Sequence, residues 1–169
     1  MTLPRRQPAW SVSFAATAEE HLDDVYGSLV YLTRDRALAE DLTADTFEKA
    51  LRLWRRFDPR RASARTWLCQ IARTTALDWF RSEERRQQRE ERAAAPEQVD
   101  AVFAEGLSPH VEAALAELSA GEREVIALRV LLDLDGEEAA RVLGISPTAV
   151  STRLSRALKK LEEKVSIHV

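Results

Sequence analysis

The sequence predicts an all-α protein built as two small helical bundles joined by a flexible linker. Three observations carry this. Ala, Leu, Arg and Glu dominate, all good helix formers, and β-branched runs are few. Apolar residues recur at three- and four-residue steps in several segments. Between two such groups, 14–92 and 108–165, residues 93–107 lose that rhythm and carry Pro96 and Gly106. A chain of 169 residues with 45% apolar content has room for one domain or two small cores.

Residues 1–13 hold two prolines and an Arg pair and predict a flexible arm. Thr17 and Glu20 have capping-box spacing, which predicts a helix over about Ala18–Leu32 with Leu22, Val25, Tyr26, Leu29 and Val30 inward. Asp35 caps the next helix, about Arg36–Arg55. Its Leu38, Leu42, Phe47, Leu51 and Trp54 face inward, and Glu40, Asp41, Asp45 and Glu48 form an outward acidic stripe. Pro59 stops the periodicity and leaves a basic loop, and Ser63 caps a third helix to about Arg92. That helix is aromatic and apolar at first, then almost wholly charged from Arg81 onward, so its second half projects into solvent. Past the linker, Ser108 and Pro109 start a short helix to about Leu118. Ser119 and Glu122 box the start of another, to about Leu132.

The last segment is the sharpest. Asp135 and Glu138 form a capping box, Gly144 ends the helix, Ser146 caps the next and Pro147 takes its first position. Val150, Leu154, Ala157, Leu158 and Leu161 share one face of that final helix. Ser146, Thr148, Ala149, Ser151, Thr152, Arg153, Arg156 and Lys159 lie at its front and along its polar side. Two helices across a Gly turn, the second polar and basic, are the pattern of a DNA-binding helix-turn-helix.

Net charge is −3, yet charge is blocked. Residues 52–92 hold 12 basic and 6 acidic groups, and 93–145 hold 3 and 11. A polyanion suits the first block and protein partners the second. Aromatic rings beside the basic groups suit single-stranded nucleic acid, although most of those rings belong to the core. One cysteine excludes an internal disulfide or thiolate zinc site, and the three histidines are isolated, so neither metal nor cofactor is expected. No phosphate-binding Gly-rich loop and no nucleophile–base pair appears, which excludes the common enzyme classes. With no apolar run long enough for a membrane span and no secretory signal, a cytoplasmic location is expected.

Four blocks in order resemble the extracytoplasmic-function (ECF) subfamily of bacterial sigma-70 RNA polymerase sigma factors, over Phe14 to about Val165. They are Ala39–Phe47, Phe57–Pro59 with Arg65–Leu68, Ile71–Arg73 with Ala76–Asp78, and Leu118–Leu161 with Arg123–Ile126 and the helix-turn-helix. Departures are Thr74 where the family often has Asn, Ala44 where Gln is common, and Leu134–Gly136 in place of a Tyr- or Ser-containing entry to the hairpin.

The resemblance implies domains of 14–92 (region 2) and 108–165 (region 4). It implies that Asp41, Leu42, Asp45, Thr46 and Phe47 dock on the coiled coil of the largest core-polymerase subunit, while region 4 docks on the flap of the second-largest. It implies that Arg60, Arg61, Ser63, Arg65, Thr74, Asp78 and Arg81 handle the −10 promoter element. Ser146, Thr148, Ala149, Ser151, Thr152, Arg153, Arg156 and Lys159 would read the −35 duplex. The expected partners are core polymerase, promoter DNA and an anti-sigma factor, often membrane-bound, with no stable homo-oligomer. The alternative reading is a helix-turn-helix regulator that acts without replacing a sigma factor.

Overall fold

A computed structural model describes residues 13–90 and 107–166, and among them the regular secondary structure is all helical. Helix α1 spans Phe14–Thr33 and begins upstream of the expected Thr17 box. Thr17 is buried in the helix rather than capping it, so that expectation is corrected. Arg34, at φ 59, ends α1, with its N–H donating to Val30 O at 2.8 Å. Asp35 Oδ1 accepts the Leu38 N–H at 3.0 Å and starts α2, Arg36–Leu53, which closes in a 3-10 turn at Trp54–Arg56. Ser63 Oγ accepts the Thr66 N–H at 3.1 Å and starts α3, Ala64–Glu90.

These three helices enclose Val25, Leu29, Leu42, Leu68, Ala72 and Ala76. Two side chains expected inward are not there: Leu22 is 47% exposed and Leu51 57%. Both sit at the margins of apolar stripes, where helical periodicity fixes the face only to within one position.

The second bundle contains α4 (Pro109–Ala116), α5 (Ala120–Ile126), α6 (Gly136–Leu143) and α7 (Pro147–Ser166). Both expected capping boxes, Ser119/Glu122 and Asp135/Glu138, form reciprocally. The helix expected to run on to Leu132 instead widens into a π-helical turn at Ala127–Leu131, where the Leu132 N–H reaches Ala127 O at 3.0 Å. Asp133 then adopts φ 48, a left-handed geometry that Asp tolerates, and turns the chain so that Leu134 is fully buried. Gly144, at φ 66, ends α6 where a side chain would be strained. Val150 and Ala157 of α7 are buried, whereas Leu158, expected on that face, is 45% exposed.

The two bundles pack on each other. The second core takes in Tyr31 of α1 and Cys69 of α3. Arg73 Nε donates to Glu124 Oε1 at 2.7 Å, Thr66 Oγ1 to Glu138 Oε1 at 2.9 Å, and Arg123 Nε to Tyr31 O at 3.2 Å. The expected arm at 1–13 and linker at 93–107 lie outside the described residues, apart from Ser13 and Leu107, as does the expected end of α3 at Arg92.

Candidate nucleic-acid interface

Helix α7 carries the first part of the site. Ser146 Oγ accepts the Ala149 N–H at 3.2 Å, and Val150 anchors the inner face, so α7 is fixed in rotation against α5 and α6. Its front half opens into a groove of about 620 Å³. Ser146, Thr148, Ala149, Thr152, Arg153 and Arg156 line one wall, and Ser119, Gly121 and Glu122 the other. Six of the eight residues expected at the −35 element therefore converge, while Ser151 and Lys159 lie on exposed flanks. The hydroxyls of Ser151 and Thr152 donate back to Pro147 O and Thr148 O at 3.2 and 3.0 Å, which leaves their oxygens outward as acceptors.

The three cations are not equivalent. Arg153 is half-buried and lies across Gly121, where an added Cβ would stand 3.2 Å from Nη1. Lys159 sits 3.9 Å from Glu163. Arg156 is exposed and makes no ion pair among the described residues. Opposite, Glu122 is bonded by Lys160, by the Ser119 N–H at 2.9 Å and by the Ser119 hydroxyl. The Lys160 bond, then those from Ser119, hold its carboxyl below the usual carboxylate range.

The second part is the loop at 57–63 and the helix it feeds. Five rings make its floor: Trp54 stacks on Phe57 with centroids 5.1 Å apart, Trp67 meets both, and Phe14 meets Trp54 and Phe47 edge-on. Asp58 accepts from the Arg60 backbone N–H and from its guanidinium, both at 3.0 Å, which keeps the Asp58 carboxyl below its ordinary range and turns Arg60 along the loop. Arg61 is exposed and Arg65 half-buried. Further along α3, Thr74 and Asp78 line a separate groove of about 520 Å³ with Lys49, Arg52, Gln70 and Ile71. Arg81 lies 3.5 Å from Asp78 just beyond it. The seven residues expected at the −10 element thus divide into a loop group and a groove group on one helix.

The acidic stripe of α2 is outward as expected: Glu40, Asp41, Asp45 and Glu48 are exposed, and so is Ala44 among them. Two of the expected polymerase contacts lie off that exposed face. Leu42 is 1% exposed and Thr46 fully buried, its hydroxyl donating to Leu42 O at 2.6 Å. Both hold α2 against the core of the bundle. Phe47 is half-buried in the ring cluster.

Sequence reasoning places no carboxylate between the bundles: Glu138 enters it only as the capping partner of Asp135. Burial pushes the Glu124 carboxyl up, against the pull of Arg73 and then Arg153. Beside it, burial pushes the Cys69 thiol up to about 12, as suits an inert side chain. The signal available was the acidic character of 93–145 against the basic 52–92, without residue detail.

A helix-turn-helix behind a basic helical bundle puts the chain among sequence-reading transcription proteins, and comparison with known proteins narrows this. The model for sigma-70 region 2 matches residues 17–86 and that for sigma-70 region 4 matches 110–161. The chain is similar to the ECF RNA polymerase sigma factor SigX of Bacillus subtilis, 29% identical over 167 residues and covering 92% of this chain and 84% of that protein. It is 38% identical over 138 residues to the ECF RNA polymerase sigma factor SigC of Mycobacterium tuberculosis, covering 79% and 73%. The solved structure of the sigma factor RpoE in complex with the anti-sigma factor NepR, from Bartonella quintana, superposes with TM-score 0.77 at 25% identity, over 91% of this chain and 97% of that one. The chain belongs to the ECF RNA polymerase sigma factors, which act in transcription initiation and are not enzymes. Among the described residues no helix is long and apolar enough to cross a membrane.

Proposed function

We propose that this sigma factor docks on core RNA polymerase through the exposed face of α2 and directs it to promoters with two separate readers, under the control of an anti-sigma factor. Residues 14–92 act as the polymerase-docking and −10 domain, and 108–165 as the −35 domain. One observation carries the reading: an exposed acidic face on α2, a basic ring-floored loop beside it and a polar recognition groove occur in one chain. Asp41, Asp45 and Glu48 steer the encounter with a basic coiled coil, and Leu51, exposed one turn on, adds apolar contact. Arg61 and Arg65 hold the phosphates of the melted strand, while an unpaired base settles by the loop or in the groove of Thr74 and Asp78. The groove of α7 takes duplex DNA edge-on.

Run-off transcription with core enzyme tests this. The chain should convert core into a promoter-specific enzyme, and Asp45→Arg should lower that activity by weakening assembly on core. Normal assembly of Asp45→Arg refutes the docking face. Absence of any promoter-specific transcript refutes the reading as a whole.

A further inference from the structure

The recognition helix α7 is gripped along one flank. Arg153 lies across Gly121 in the first turn of α5. Two turns on, Lys160 Nζ donates to Glu122 Oε1 at 2.5 Å, and one turn further Lys164 pairs with Glu117. Positions 153, 160 and 164 share one side of a helix with about 3.6 residues per turn. Ala157, between them, is fully buried and lets α7 lie close.

Glu122 is the fixed end of this grip. It is 9% exposed, and its oxygens are divided. Oε1 takes Lys160, while Oε2 takes the Ser119 N–H at 2.9 Å and the Ser119 hydroxyl at 3.0 Å. Ser119 therefore locks the carboxylate to the start of α5, and the carboxylate locks Lys160. Glu122 stands on the groove wall opposite Arg156, and Lys160 follows Arg156 by one turn of α7. The pair ties the two walls of the groove together. Side-chain tips stand about 5–6 Å from a helix axis, so a rotation of α7 by about 10° moves them by about 1 Å. A shift of that size breaks a directional hydrogen bond to a base edge and barely changes the attraction of a cation to a phosphate.

We infer that Glu122 is a positioning residue of the −35 reader: through Lys160 it fixes the rotation of α7 and so sets which base edges the groove reads. The inference rests on the reading of this groove as the −35 site, and the test tells the two apart.

The readout is the ratio of affinities for a mapped −35 duplex and a scrambled duplex, by anisotropy with the full-length protein. A change of net charge acts on both duplexes alike and cancels in this ratio, whereas a rotated helix does not. Lys160→Met leaves the Ser119 cap in place and removes only the tie, and it should lower the ratio about five- to tenfold. Glu122→Gln should lower it in the same direction, and Glu122→Gln/Lys160→Met no further than Lys160→Met alone, because both act through one contact. Lys160→Arg keeps the ion pair and should keep the ratio of the unaltered protein. Binding is measured well below the melting temperature of each variant, read by circular dichroism, so that lost stability does not enter. An unchanged ratio in Lys160→Met and Glu122→Gln overturns the inference, even where Lys160→Met weakens both duplexes equally, since that makes Lys160 a plain phosphate contact. A loss in Lys160→Arg as large as in Lys160→Met overturns the role of the ion pair. No preference for the mapped duplex in the unaltered protein overturns the −35 reading of the groove, and the inference with it.

Discussion

Arg156→Ala tests the recognition helix most directly. Arg156 stands on the groove wall, exposed and without an ion pair among the described residues. Arg153 lies against Gly121 with its charge near Glu124, and Lys159 is within 3.9 Å of Glu163. Arg156 therefore has the least intramolecular interaction to give up on meeting DNA, and its loss should weaken binding more than the loss of Lys159. Two mechanisms give different magnitudes. As a phosphate contact, its removal lowers the slope of log affinity against log salt by about 0.9, equally for all duplexes. As a bidentate contact to guanine, it costs about 1–3 kcal/mol on the cognate duplex and little on a scrambled one. Anisotropy titrations of a mapped −35 duplex and a scrambled duplex at four salt concentrations separate these. Equal affinity and equal salt slope for Arg156→Ala and the unaltered protein on both duplexes would refute the placement of DNA in this groove.

Three further outcomes follow from local geometry. Leu134→Ala empties a fully buried site at the entry to α6 and should cost about 2–5 kcal/mol, read as a lower midpoint in chemical denaturation; a change under about 1 kcal/mol would contradict the packing. Gly121→Ala asks only the flexible end of Arg153 to move, by a few tenths of an ångström. It should therefore stabilise by about 0.4–1 kcal/mol, and a lowered melting temperature would show that Arg153 is held rigidly. The Glu122 carboxyl is depressed from 4.5, so its stabilisation is present above that value and is lost as pH falls through its lower folded value. The gap in melting temperature between the unaltered protein and Glu122→Gln should thus be widest near neutrality and close below pH 4.5. A gap that is independent of pH would deny the Lys160 and Ser119 bonds their role.

Local chemistry was the most legible level of this protein. Asp35, Ser63, Ser108, Ser119, Asp135, Ser146 and Gly144 mark helix ends in the sequence, and the structure uses them there, because a cap is a bond between residues three or so apart. The Thr17 box failed because α1 starts earlier and draws Thr17 into the core, a tertiary effect that spacing does not encode. Leu42 and Thr46 show a related limit. A motif marks the segment that matters, and only burial tells which of its residues face out. The π-helical turn at Ala127–Leu131 carries no Gly or Pro to announce it; it leads into the turn at Asp133, after which Leu134 is fully buried. The recognition groove was half legible: the wall from α7 follows from periodicity, while the facing wall of Ser119, Gly121 and Glu122 comes from packing between separate helices.

The ring cluster around Trp54 has a spectroscopic consequence. Trp10, Trp54, Trp67 and Trp79 are the four tryptophans of the chain, and Tyr26 and Tyr31 its two tyrosines, so every one lies before residue 80. The second bundle is dark in the near ultraviolet, although it contributes fully to the helical signal in the far ultraviolet. Emission from indoles packed at 5.1–5.9 Å therefore reports on the first bundle alone. Monitored together, emission and helicity become a built-in two-channel thermometer: coincident transitions mean that the halves unfold as one cooperative unit, and split transitions give each half its own stability without a single added label.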